Sequence, residues 1–260
     1  MAISPHSSPT STPSTLFSPL TPIPSLVPKP NHPQDINMST TCLIPVYNEG
    51  PRIRYVISQL LQVPNLDKII VINDGSSDNS FQVLTQYPHI TLLNHPVNLG
   101  KTAAIRTGLA NVKTTNVLLF DSDIDFVDPG EISRSITFFT THASAHMLVY
   151  RTFRDKWPQK LVRADLVLSG ERLLRTADLN IILHEQIEGF QLEIAINHYF
   201  LHHHKNIFWM SFSGLSPNKL HKLGLLRCLI PELNMVYDLF RYRGLLSYFI
   251  DLIRFRATQI

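Results

Sequence analysis

The apolar run Val117-Leu-Leu-Phe120 ends abruptly in Asp121-Ser122-Asp123-Ile-Asp125. Two carboxylates one residue apart, on a chain leaving a strand, repel each other unless a cation lies between them. Oxygen donors of that kind suit Mg²⁺ or Mn²⁺ shared with a substrate's phosphates. Taken alone, Asp-X-Asp is as readily a solvated acidic turn, so its weight depends on what accompanies it. Pro45-Val46-Tyr47-Asn48-Glu49 is a strand-to-helix turn that could also line a pocket. Asp74 is either a turn former or a carboxylate accepting a hydrogen bond from a base or ribose. Asn98-Leu-Gly100-Lys101 is a helix start, or a glycine that lets the backbone approach a diphosphate while Lys101 neutralises it. Glu193, on an otherwise apolar helix face, is either a solvated helix residue or a general base facing a cleft.

The elements that must carry these residues alternate. Short apolar runs at 41–45, 68–73, 90–94, 117–120, 146–150 and 207–212 read as strands. Between them lie helical patterns opened by Gly50-Pro51, by the Asp74–Asp78 turn, by Gly100-Lys101 and by Asp128-Pro129. This alternation predicts an α/β fold with a mostly parallel sheet and helices on both faces, and all the polar clusters fall at strand ends. Residues 151–160 read as a polar loop, 161 to about 179 as one helix, and 188 to about 201 as another, with a turn at 214–218.

The ends differ from this middle. Residues 1–37 hold 9 of the 18 prolines, no glycine, and only Lys29 and Asp35 as charges, which predicts a disordered leader, with either Met38 as the natural start or the leader dispensable. Nothing there has the charged and apolar regions of a secretory signal. The expected domain spans 38–218 and a helical extension 219–260. In the latter, Ser247, Asp251, Arg254 and Thr258 fall on one side of a helix, opposite Leu246, Phe249, Ile250 and Ile253. Such a basic amphipathic segment within 231–260 could rest on an anionic membrane as a peripheral contact, or pack on its own domain or on a homodimer partner. With 23 Lys and Arg against 20 Asp and Glu, the balance is too mild to argue for nucleic acid. Two cysteines, Cys42 and Cys228, make no disulfide framework, and the expected location is cytoplasmic.

In order, Pro-Val-Tyr-Asn-Glu, Val-Ile-Asn-Asp-Gly-Ser-Ser-Asp, Asn-Leu-Gly-Lys-Thr-Ala-Ala-Ile and Phe-Asp-Ser-Asp resemble the nucleotide-binding half of family-2 glycosyltransferases of the GT-A fold. The likeness is close from Thr41 to about Glu131. It continues through Ser169-Gly-Glu-Arg172 and Gly189-Phe-Gln-Leu-Glu193, which look like acceptor-side motifs of the dolichyl-phosphate mannose synthase-like and glucosyl-3-phosphoglycerate synthase-like branch. The resemblance implies a nucleotide-diphosphate sugar donor and Mg²⁺ or Mn²⁺ as cofactor. It puts Pro45, Tyr47 and Glu49 in the nucleotide pocket and Asp74 on the base. Lys101 falls on the diphosphate side, Asp121 with Ser122 on the ribose side, and Asp123 on the metal, with Asp121 beside it. Glu193 would be the catalytic base or an acceptor ligand and Arg172 a contact for an anionic acceptor, with polyprenyl phosphate ahead of a small phosphorylated acid.

Two departures stand out. The turn at 214–218 lacks the metal-binding His of that branch, leaving His221 or water to serve, and the Gln-x-x-Arg-Trp signature of processive relatives is absent, which favours transfer of a single sugar. The run His202-His-His204 reads as a polar helix end. A nucleotidyltransferase is disfavoured because 46–49 is no Gly-rich phosphate loop; a non-catalytic nucleotide-sugar binder is the other alternative.

Overall fold

A computed structural model describes residues 38–152, 164–188, 191–214 and 254–260, all within one unit, Asn37–Ile260. The expected leader, most of the 151–160 loop, the 214–218 turn beyond Gly214, His221 and most of the C-terminal extension lie outside these residues.

Eight strands form one sheet. In chain order the elements are β1 (Thr40–Val46), α1 (Gly50–Leu60), β2 (Lys68–Asp74), α2 (Ser80–Leu84), β3 (Thr91–His95), α3 (Lys101–Leu109), β4 (Asn116–Leu119) and α4 (Pro129–Thr141). Then come β5 (Met147–Thr152), α5 (Ala164–Val167), β6 (Arg172–Arg175), α6 (Thr176–Leu183), α7 (Gln191–His202), β7 (Ile207–Phe212) and β8 (Thr258–Gln259). The strand order is β3-β2-β1-β4-β6-β5-β7-β8, parallel except where β6 pairs with β4 and β5. The chain winds outward from β1 to β3, then crosses back to place β4 on β1's other side. The loops after β1 and β4 therefore diverge, which opens a crevice beyond their carboxyl ends.

Alternating side chains build two cores, one on each face. Cys42, Ile44 and Val46 of β1, with Val71 of β2 and Leu118 of β4, pack under α1, α2 and α4. Leu43, Ile70, Ile72, Val117 and Leu119 pack under α3, α6 and α7. Strands buried on both faces need apolar residues at every position, which is why these runs are unbroken. Local signals set several boundaries: Pro51 occupies the first turn of α1, and the Asp128 side chain caps α4 by accepting from the Gly130 amide at 2.8 Å.

Two expectations are corrected. The single helix over 161–179 is instead α5, a Ser169-Gly170-Glu171 turn, strand β6 and helix α6. Arg172-Leu-Leu-Arg175 is short, and the vacant edge between β4 and β5 satisfies its backbone groups better than helix propensity could. Leu173 points into one core and Leu174 into the other. The C-terminal helix does not run through 258: Phe255 is buried, and Thr258–Gln259 pairs in parallel with β7. The end of the chain thus belongs to the sheet.

Because Leu173 is fully buried at the antiparallel insertion, Leu173→Ala should cost about 2–5 kcal/mol, read as a lower urea midpoint at unchanged slope.

Candidate functional site

The crevice is lined by Pro45, Val46, Tyr47 and Glu49 from the end of β1, Asp74 from β2, and Asn98, Gly100 and Lys101 at the start of α3. Asp121, Ser122 and Asp123 beyond β4 complete it, around about 310 Å³. Every residue singled out between 45 and 123 therefore meets in one place. Tyr47 is exposed at the mouth, as are Val97 and Leu99 on either side of Asn98.

At the floor, Lys101 Nζ lies 2.8 Å from Asp121 Oδ1 and 2.9 Å from Glu193 Oε1. Asp121 and Glu193 together hold this amine well above the ordinary lysine range, so it stays charged even though burial opposes that. Glu193 is not a solvated helix residue. It is 7% exposed, and its Oε2 is buried with no hydrogen-bond partner among the described residues. An orphan carboxylate oxygen next to a cleft is a polar contact held ready for a ligand.

Gly170 presses on the same floor. A Cβ there would come within 2.5 Å of Asp121 Oδ2 and 2.9 Å of Lys101 Nζ, so a larger residue would displace the ends of these two side chains. Glu171 follows, buried, its Oε2 accepting from Ser169 Oγ at 3.1 Å. Burial, reinforced by the charge of Asp121, pushes its carboxyl up to about 7. Glu171 was missed because 161–179 reads as helix; the signal was the polar Ser-Gly-Glu interrupting two apolar stretches. Arg52 was missed too: it joins Glu49 at 2.8 Å to Asp125 at 3.1 Å, tying α1 to the acidic loop.

Two residues sit differently from their assigned roles. Asp74 reaches the crevice, but its oxygens already accept the amides of Leu99 and Gly100 at 3.0 and 2.8 Å, with His95 Nδ1 at 2.7 Å. It anchors the 98–100 loop rather than presenting a free carboxylate to a base. Arg172 is fully buried, donating to Ser169 O, Val167 O and Asn197 Oδ1 at 2.8, 2.7 and 2.6 Å. With its guanidinium spent on the protein, it braces the 169–171 turn from behind and does not contact an acceptor.

Asp121 and Asp123 offer the oxygen donors that Mg²⁺ or Mn²⁺ takes alongside phosphates and waters. One Asp121 oxygen is engaged by Lys101, and among the described residues no group of three His, Cys, Asp or Glu could hold a metal. The donor set fits an ion whose remaining ligands come from a substrate diphosphate.

A sheet whose order reverses between β1 and β4, with carboxylates and one lysine converging there, defines a nucleotide-binding α/β protein. Residues 41–203 match the family model described as "Glycosyl transferase family 2", and the chain belongs to that family. It is 36% identical over 97 residues to a dolichyl-phosphate beta-glucosyltransferase of Trichomonas vaginalis, covering 32% of this chain and 29% of that protein. It is 31% identical over 103 residues to a poly-beta-1,6-N-acetyl-D-glucosamine synthase of Staphylococcus epidermidis, covering 38% and 24%. The matched stretches thus span less than a third of either relative. Its fold is similar to that of glucosyl-3-phosphoglycerate synthase from Mycobacterium tuberculosis, solved in complex with Mn²⁺, UDP and phosphoglyceric acid. That comparison has a TM-score of 0.61 and 18% identity, covering 78% of each chain. The α/β architecture expected from sequence is therefore the GT-A-like one.

Because the folded protein keeps the Glu171 proton up to about pH 7, against 4.5 for an unperturbed glutamate, folding takes up a proton between those values. Stability should fall as pH rises across that interval. Glu171→Gln should flatten the decline, read as urea midpoints at pH 5 and pH 8.

Proposed function

We propose that this protein transfers one sugar from a nucleotide-diphosphate sugar to a phosphate-bearing acceptor, with a polyprenyl phosphate as the favoured class. The observation that carries the donor half is the convergence of Pro45, Tyr47, Glu49, Asp74, Lys101, Asp121, Ser122 and Asp123 on one crevice. Pro45, Tyr47 and Glu49 form the wall for the nucleoside. Gly100, with φ +90° and nothing within 4 Å of the Cβ it lacks, leaves backbone open for a diphosphate to approach. Lys101, kept charged, faces the site where negative charge develops as the sugar departs. Asp123, with Asp121 beside it, would hold a Mg²⁺ or Mn²⁺ ion, which supplies further neutralisation of that diphosphate.

The pairing at Glu193 bears on the acceptor. A hydroxyl acceptor needs a base, whereas a phosphate is already ionised and needs none. Glu193 Oε1 is already engaged by the Lys101 ammonium, and its better role is to aim Lys101 and shape the acceptor side. The name of the Trichomonas relative, with the exposed apolar Tyr47, Val97 and Leu99 at the mouth, supports an acceptor delivered from a lipid surface. Among the described residues no helix is long and apolar enough to cross a membrane.

Thermal shift with UDP- and GDP-sugars, with and without Mn²⁺, tests the donor half. One nucleotide should stabilise the protein, by about 2.7 kcal/mol at a hundredfold excess over Kd, and Asp123→Ala should lose the metal-dependent part. No stabilisation by any donor under any metal condition would refute the reading. For the acceptor, Glu193→Gln should keep transfer to polyprenyl phosphate within about tenfold. A loss of about 10²–10⁴-fold would instead make Glu193 a base for a hydroxyl acceptor.

A further inference from the structure

Behind the crevice wall lies a buried chain of polar groups that the proposed chemistry does not use. His95, at the end of β3, is 8% exposed and stands beside Asp74 in the parallel β2–β3 ladder. Its Nδ1 is 2.7 Å from Asp74 Oδ1, and its Nε2 is 2.9 Å from Thr107 Oγ1 on α3. An ionised carboxylate only accepts, so Nδ1 donates to Asp74, while the Nε2–Thr107 hydrogen bond can run either way because a hydroxyl both donates and accepts. Asp74 also holds the loop, taking the Leu99 amide on Oδ1 and the Gly100 amide on Oδ2.

The chain therefore grips α3 in two places. Gly100, the residue before α3, is held through Asp74, and Thr107, nearly two turns further on, is held through His95. Between them stands Lys101. The loop after β2 adds a third restraint: Gly75 has φ +66°, and a Cβ there would fall 2.3 Å from the Val97 carbonyl carbon, so the two loops touch backbone to backbone. A side chain at Gly75 would push the 97–100 loop away.

We propose that His95, relayed from Thr107, is a positioning residue for the donor. By orienting the Asp74 carboxylate it sets the 98–100 loop and the start of α3, and so the place of Lys101 against the diphosphate. The proposal rests on the donor reading for its functional consequence, but the geometry it asserts is independent of any substrate. His95 is not itself part of the crevice lining and reaches it only through Asp74, so its effect is on binding of the donor and not on the acceptor's chemistry.

Three variants separate hydrogen bonding from packing. His95→Leu fills the space without donating. His95→Asn puts an amide N–H near the position of Nδ1 and loses the Thr107 contact. Thr107→Val removes only the far end. Amide hydrogen exchange at Leu99 and Gly100, followed by NMR, should quicken about tenfold or more in His95→Leu, and donor KM should rise about ten- to a hundredfold with kcat changed far less. His95→Asn should recover most of both, and Thr107→Val should show a smaller change of the same kind. The proposal is overturned if His95→Leu leaves exchange and KM at wild-type values, or if His95→Asn is as impaired as His95→Leu. The exchange arm needs no ligand, so a wild-type protein that bound no nucleotide sugar would sink the functional reading while exchange still decided the positioning role.

Discussion

One ammonium group organises this site. Lys101 lies between Asp121, just beyond β4, and Glu193, on α7. Without that cation, two carboxylates with Glu171 close by would face one another in a half-buried pocket, a costly arrangement unless they gave up charge. The lysine thus joins the β1–β4 half, which forms the crevice, to α7, which closes its far side. Gly170 packs directly against the pair, and a larger residue would push their side-chain ends aside, so the geometry of the floor is set by contact as well as by charge.

The supports of this floor are layered. Arg172, fully buried, ties the 169–171 turn to α5 and α7 through three hydrogen bonds. Burial pulls its guanidinium down only to about 10, and it remains charged at neutral pH. On the other side, Asp74 and His95 hold the loop from which α3 starts. Buried polar groups of this kind add little net stability, but each one broken leaves partners stranded, which makes the arrangement unique rather than merely stable. The pattern is that of a protein that has placed its strictest geometry around a single charged ligand-facing group.

Much of this was legible in the sequence. The unbroken apolar runs of β1, β2 and β4 report burial on both faces, and their polar endings report the edge where ligands bind, because strand period and side-chain chemistry are local properties. The boundaries of α1 and α4 follow from Pro51, Asp128 and Pro129, and the identities of the crevice residues from their place just after strands. Glu193, by contrast, reads as an ordinary helix-surface glutamate until α7 is packed and its partner 92 residues away is known.

Other features belong to tertiary structure alone. Arg172-Leu-Leu-Arg175 carries no local pattern that separates a strand from a helix; the open edges of β4 and β5 decide it. The family resemblance makes Arg172 an anion contact, yet here the fold surrounds it with carbonyl acceptors. Asp74 likewise has the chemistry of a ligand contact, and only the arrival of the 98–100 loop commits both its oxygens. The sequence by itself determined which polar and charged residues gather at the strand ends and which edge of the sheet they occupy. Which of those groups stay free to bind a ligand depended on long-range hydrogen-bond partners, because a donor or acceptor has limited capacity and only the folded chain decides what fills it.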